Sequence, residues 1–200
     1  MAKKAVSKRP FKGLKSELDV PYVWIGSARQ FKRLAELNRP LIEKERTNRD
    51  ITRNYKSWED RLIPLDGFDT FLMGVAIENL LKGVLRAKGW SFKEVVSEGH
   101  HLRELYKTCC ELCGLAAKND ECEALEKLEQ FVTWIGKYNL PVDDLEKTME
   151  KWGLRMLSSP EGPIITLAIT ESEEKSMNAV YDRFLNYLKI GYIPGFQIRK

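Results

Sequence analysis

The sequence contains no hydrophobic run long enough to cross a membrane. Its most apolar stretch, residues 71–85, is interrupted by Glu78, Asn79 and Lys82, whereas a bilayer-spanning helix needs roughly 20 predominantly apolar residues. The apolar segment of a secretory signal peptide is also missing after the first residues. These absences predict a cytoplasmic protein that has no membrane partner.

Familiar catalytic signatures are missing as well. The chain has no G-x-x-x-x-G-K-[ST] phosphate loop, no G-x-G-x-x-G fingerprint, no H-E-x-x-H zinc motif and no G-x-S-x-G nucleophile elbow. Histidine is scarce, since His100 and His101 are the only two. The sequence therefore argues against most common enzyme classes and predicts no cofactor.

Cysteine is confined to one short region, where Cys110 and Cys113 form a C-x-x-C pair between Cys109 and Cys122. A structural zinc site would need a second such pair or equivalent ligands, which the sequence does not offer. A chain of 200 residues can also build a core without disulfides. We therefore expect reduced thiols packed along a helix seam, and no metal site.

Positive charge is concentrated at the N terminus, although the net charge of the whole chain is only +4. Residues 1–16 contain six basic side chains and no acidic one. This composition predicts a flexible basic arm over residues 1–18. Such an arm could contact RNA or DNA through counterion release, or could have no nucleic-acid role.

Apolar residues at three- and four-residue spacing predict a single all-α domain over residues 19–200, an antiparallel helical bundle of about five helices. Residues 68–88 are apolar nearly all round, which is typical of the central helix of a bundle, and Gly89 should end that helix. Pro40 should kink or end the first helix. The other predicted helices cover residues 23–37, 102–113, 120–137 and 170–188.

The segments between these helices are less regular. Residues 43–61 could be a solvated helix or an ordered connection, and residues 91–99 are predicted to be a connector. Asn119 or Asp120 could cap the fourth helix, while Thr170 and Glu173 have the spacing of a capping box at the start of the last one. Residues 141–170 form an irregular C-terminal embellishment, with a short strand or an extended strap over residues 163–170.

Glu78 and Lys82 are the main candidates for a functional site. Their i, i+4 spacing places them on one face of the apolar helix, with Asn79 adjacent. If they are buried, each charge must be compensated, because an unpaired buried ion is costly. They could form a structural ion pair that holds neighbouring helices together, or could line a polar pocket within the bundle.

His100 and His101 stand at the predicted start of the helix over residues 102–113, where one of them should face inward. A histidine there could act as a general base, or could bind phosphate together with the helix N terminus. It could equally cap the helix or form a hydrogen bond with Glu78. Arg103 follows and is more typical of a solvent-facing charge than of a ligand.

A third cluster of candidates lies at the end of the fourth predicted helix. Trp134, Lys137 and Tyr138 combine aromatic and basic side chains in one helical turn. Such a combination could stack on a nucleic-acid base, although aromatic residues at a helix end more often pack against the protein.

Three segments, in this order, resemble the core of HEPN-domain proteins: GVAIENLLK at residues 74–82, GHHLREL at residues 99–105 and FVTWIGKY at residues 131–138. The resemblance covers residues 66–141. It implies a helical domain, usually a homodimer, found in toxin–antitoxin, phage-defence and RNA-processing systems, often with a nucleotidyltransferase or antitoxin partner.

Many HEPN proteins are metal-independent ribonucleases with an arginine a few residues before a histidine. Here thirteen residues separate Arg86 from His100, so the usual mechanism is not expected. Our leading hypothesis is a module that binds RNA, a nucleotide or a protein partner without catalysis, at Glu78, Lys82 and His101.

Two alternatives stay open. One is an endoribonuclease in which His101 is the base, Glu78 belongs to the same site and Arg103 or Lys82 stabilises the developing charge. The other is a structural dimerisation protein, in which the polar residues only fix the register of the helices. The candidate ligand-binding residues are Glu78, Asn79, Lys82, His100, His101, Trp134, Lys137 and Tyr138.

Overall fold

A computed structural model describes residues 21–51, 67–135, 155–159, 162–166 and 169–191. These ranges form a helical bundle with one β-hairpin, so the predicted all-α bundle is confirmed. The helices are α1 (Pro21–Ile51), α2 (Phe68–Ala87), α3 (Phe92–Ser97), α4 (Leu102–Cys113), α5 (Asn119–Gln130) and α6 (Glu171–Gly191). Among the described residues, no helix combines the length and the apolarity that a membrane span requires.

The remaining elements are short. A π-helical turn, Phe131–Ile135, continues α5. Strands β1 (Arg155–Ser159) and β2 (Gly162–Thr166) pair antiparallel, with Leu157 opposite Ile164. The hairpin lies in the region predicted to be irregular, and β2 accounts for part of the segment that could be a strand or a strap. The basic arm and residues 141–154 lie outside the described residues.

Helix α2 is the centre of the bundle, as its sequence predicts. It contacts α1, α4, α5 and α6, and its apolar side chains are buried on several faces. Because no side of the helix is left mainly to solvent, its apolar residues need not follow a single stripe. Gly89 follows its end in the left-handed conformation, with φ of 92°. The residues of α2 exposed by 1% or less are Ala76, Ile77, Leu80, Leu81, Val84 and Leu85.

Of the two outcomes predicted at Pro40, a kink or an end of the first helix, the end is wrong, because α1 runs through this proline to Ile51. Proline removes one intrahelical hydrogen bond and crowds the preceding turn, but contacts on both sides of Pro40 hold the helix in place. The Arg39 guanidinium lies 2.5 Å from a Glu174 carboxylate oxygen, and Ile42 is buried. Tertiary packing therefore outweighs the local preference.

The prediction of a connector over residues 91–99 is wrong, because this segment contains α3. Ser91 and Glu94 form a capping box, in which the Glu94 N–H donates to Ser91 Oγ and the Ser91 N–H donates to Glu94 Oε2. The sequence carries the S-x-x-E signal for this cap. Val95 is fully buried and anchors the short helix to the core.

The predicted side-chain cap at the helix start is absent from α5 and present in α6. Helix α5 begins after Lys118 without a side-chain cap, so neither Asn119 nor Asp120 has the predicted capping role. Asp120 instead accepts a hydrogen bond from Ser176 Oγ at 3.1 Å. At α6 the predicted capping box is confirmed, because Thr170 and Glu173 exchange backbone-to-side-chain hydrogen bonds.

Candidate functional site

The centre of the candidate site is a buried ion pair between Glu78 and Lys82. The two residues are 7% and 6% exposed, and Lys82 Nζ lies 2.7 Å from Glu78 Oε1. Nζ also donates to the Gly99 carbonyl oxygen at 2.7 Å. The pair therefore attaches the segment between α3 and α4 to the central helix, which is the structural one of the two roles that the sequence leaves open.

His100 completes this cluster. Its Nδ1 lies 2.9 Å from Glu78 Oε2, so Lys82 and His100 each engage one carboxylate oxygen. When Nδ1 carries the proton, its N–H donates to Glu78 Oε2, and Nε2 is an acceptor in the neutral ring and a second donor in the protonated ring. The side chain is 44% exposed, and no hydrogen bond joins Nε2 to a residue within the described ranges. The buried carboxylate thus fixes the orientation of an accessible imidazole.

His101 does not take the predicted place beside Glu78 and Lys82. Its side chain is 70% exposed, and its Nδ1 lies 3.0 Å from Glu129 Oε1 on α5. The prediction that His101 lies together with Glu78 and Lys82 is therefore wrong. The chain turns at Gly99, which has a φ of 64°, and then enters α4, so the side chains of His100 and His101 point in different directions. One histidine faces inward as predicted, and it is His100.

The start of α4 lies directly beside these two histidines. His101 is the N-cap residue, and no side chain caps the helix. The first backbone N–H groups of a helix have no partner within the helix itself, and the helix dipole makes this end partly positive. The arrangement is suited to hold an anion, such as a phosphate group, next to the imidazole of His100.

Asn79 and Arg103 form hydrogen bonds or ion pairs away from the cluster at Glu78. Asn79 Nδ2 donates to the Val75 carbonyl oxygen at 2.8 Å, within α2. One Arg103 guanidinium nitrogen lies 2.6 Å from Glu126 Oε2 and links α4 to α5. Neither residue joins the cluster at Glu78. In these contacts, both side chains support the helices rather than a ligand.

The predicted aromatic and basic cluster at the end of α5 stays a prediction. The backbone of Trp134 belongs to the π-helical turn, but its side chain is outside the described part of the structure, as are Lys137 and Tyr138. Thr133, in the same turn, donates its hydroxyl to the Glu129 carbonyl oxygen.

All four cysteines are free thiols. Burial raises the pKa of Cys109 well above its ordinary value and raises that of Cys110. The Cys109 thiol donates to the Leu81 carbonyl oxygen, so it packs as a small core group, as its helical spacing predicts. In the described ranges, no three His, Cys, Asp or Glu side chains come together in a way that could hold a metal ion.

A second buried polar cluster was not predicted. The Tyr106 hydroxyl donates to Glu121, and Arg183 donates to both Glu121 and the Tyr106 oxygen. Burial, reinforced by Glu121, raises the pKa of Tyr106. The three residues come from α4, α5 and α6 and are up to 77 positions apart, so no local pattern could have identified them.

Comparisons of the chain with protein-family models, with curated proteins and with solved structures give no match.

Proposed function

We propose that this protein is a HEPN-like helical module that binds a phosphate-bearing ligand, an RNA strand or a nucleotide, at the start of α4 without catalysing a reaction. The observation that supports this proposal is His100, held by buried Glu78 beside a helix start without a side-chain cap. The resemblance of residues 66–141 to HEPN proteins adds the expectation of a homodimer and of an RNA-related, toxin–antitoxin or phage-defence system.

The binding group in this proposal is the His100 imidazole together with the first N–H groups of α4. In the protonated imidazole both ring nitrogens donate, so that Nδ1–H can bond Glu78 while Nε2–H donates to a phosphate oxygen. A helix N terminus favours the same anion. Lys82 has a different role, because its ammonium group is buried and already donates to Glu78 and Gly99. It pairs with Glu78 and holds that carboxylate in position, and Glu78 in turn orients His100.

Binding without catalysis fits the charges around the site better than cleavage does. Phosphodiester cleavage benefits from a cation that stabilises the charge developing on the phosphate. The two cations proposed from the sequence already have carboxylate partners, since Lys82 pairs with Glu78 and Arg103 with Glu126. The spacing of Arg86 and His100 also departs from the HEPN ribonuclease pattern.

A metal-independent ribonuclease is the second candidate, and the Glu78–His100 contact is the observation that favours it. A carboxylate on Nδ1 leaves Nε2 of the same ring as a proton acceptor. In that case His100 replaces His101 as the candidate base, and Nε2 would accept the proton of a ribose 2′-hydroxyl group. Cleavage of RNA in excess chelator, abolished in His100→Ala, would establish this activity.

The proposed binding is tested by the fluorescence anisotropy of a labelled single-stranded RNA and of a labelled mononucleotide, in chelator. We expect His100→Ala to weaken both complexes by about tenfold or more, because a hydrogen bond to a charged group contributes about 1.5–3 kcal/mol. His101→Ala is the matched control and should change affinity much less. Unchanged binding by a folded His100→Ala variant would exclude the site.

A further inference from the structure

A shallow open groove of about 230 Å³ lies between α1 and α6, formed by elements that do not contribute to the cluster at Glu78. We call it the α1–α6 groove. Five of its seven lining residues are charged, and three of these are cations from α1. The lining residues are Arg29, Lys32, Arg33, Glu36, Tyr181, Asp182 and Leu185.

Lys32 is compensated within this groove. Its Nζ lies 4.5 Å from the centroid of the Tyr181 ring and near the carboxylates of Asp182 and Glu36, at 3.6 and 3.8 Å. A cation between two carboxylates and an aromatic face has little free charge to offer a ligand. Lys32, Glu36 and Asp182 together carry no net positive charge, so an anion in the groove would have to be held by the other cations.

Arg29 and Arg33 differ from Lys32, because both are exposed and no hydrogen bond or ion pair joins either guanidinium to a described residue. Their i, i+4 spacing places them on one face of α1, about 6 Å apart along the helix axis. This step is comparable with that between successive phosphates of a nucleic-acid strand. Arginine presents a planar fork of donors that matches a phosphate group.

We propose that the α1–α6 groove binds the phosphate backbone of a nucleic-acid strand through Arg29 and Arg33. Charge favours a polyanion over a small anion, since the sequence places six further cations in residues 1–16, shortly before α1 begins. The open, polar shape suits contacts to a backbone, which position a strand without reading its bases. This inference does not depend on the site at His100, and both surfaces could contact one RNA.

The experiment measures the affinity for a labelled single-stranded RNA over a range of salt concentrations. For Arg29→Gln/Arg33→Gln, we expect weaker binding and a salt-dependence slope smaller by about 1.4, because each phosphate contact to a single strand contributes about 0.7. The charge-preserving variant Arg29→Lys/Arg33→Lys should retain most of the slope. Lys107→Gln/Lys175→Gln removes two cations outside the groove, each ion-paired with a glutamate of its own helix, and controls for the loss of net charge.

Each outcome decides the inference separately from the proposed function. A slope and an affinity that stay at the wild-type values in Arg29→Gln/Arg33→Gln would overturn it, as would equal losses in the Lys107→Gln/Lys175→Gln control. Wild-type protein that binds no RNA at any salt concentration would overturn it too. The groove variant should still bind the mononucleotide, whereas His100→Ala should bind it about tenfold or more weakly and lower the salt slope by at most about 0.7, half of the change expected for the groove variant.

Discussion

At the scale of single residues, the most informative contact is the Glu78–Lys82 pair, because it connects stability with the candidate site. A buried ion pair adds little net stability compared with apolar residues, since desolvation offsets the attraction between the charges. Its effect here is positional. Glu78 uses one oxygen for Lys82 and the other for His100, so the pair determines where the imidazole lies.

Replacing Lys82 with methionine should destabilise the protein by about 3–5 kcal/mol, because the Glu78 carboxylate would remain buried without its cation. The double variant Glu78→Leu/Lys82→Met removes both charges and should recover most of this loss. Urea unfolding followed by circular dichroism measures both values. Equal stabilities of Lys82→Met and wild type would show that the carboxylate does not depend on this partner.

At the scale of elements, α2 lies very close to the end of α5 and to the π-helical turn that follows it. Gly74 is buried in α2, and a Cβ atom added there would lie 2.4 Å from Val132 Cγ2. Val132 belongs to the π-helical turn that follows Glu129, the partner of His101. Glycine at position 74 therefore allows the two helices to approach closely.

The variant Gly74→Ala should lower the free energy of unfolding by about 1–3 kcal/mol, because the added methyl group has no space beside Val132. Gly26→Ala is the matched control. Its Cβ would meet no atom within 4 Å, so the better helix propensity of alanine should stabilise α1 by up to about 1 kcal/mol. Thermal unfolding compares the two variants. Similar effects at both positions would contradict the packing described here.

The helices could largely be predicted from the sequence, because apolar periodicity is a local signal that burial reinforces. The predictions that failed are an end of the first helix at Pro40 and a connector over residues 91–99. Pro40 is tolerated within α1 because neighbouring residues are held by α6 and by the core. The connector prediction overlooked the capping signal at Ser91, since a short helix with a single fully buried residue, Val95, has little periodicity of its own.

The candidate site, like the fold, could be predicted only in part from the sequence. Glu78 and Lys82 could be paired from the sequence because both lie on one helix, four positions apart. The choice between His100 and His101 depends on the turn at Gly99 and on the position of Glu129, which comes from α5. Sequence spacing alone does not contain that information.

At the scale of the whole molecule, the Tyr106–Glu121–Arg183 cluster joins three helices that are distant in the chain. Glu121 is 1% exposed, and its two oxygens accept hydrogen bonds from Tyr106 and Arg183. The cluster holds α4, which carries the candidate site at its start, in a fixed position relative to α5 and α6. The start of α4, where we propose that a ligand binds, is thereby connected to α6.

The variant Glu121→Gln should destabilise the protein by about 3 kcal/mol, near the lower limit for breaking a buried ion pair, since the Arg183 side chain is 22% exposed. Helices α4, α5 and α6 should unfold in one transition, because the cluster connects these three. Chemical denaturation followed by both circular dichroism and tryptophan fluorescence tests this. A loss below about 0.5 kcal/mol would show that the cluster contributes no more than a surface pair.

We propose that a phosphate-bearing ligand binds at the start of α4. NMR titration of isotope-labelled protein with short RNA in excess chelator tests this binding most directly. We predict shifts of the His100 ring and of the backbone amides of Leu102, Arg103 and Glu104, while the RNA stays intact. Shifts confined to other helices, or none at saturating RNA, would contradict the account, and cleaved RNA would favour the ribonuclease.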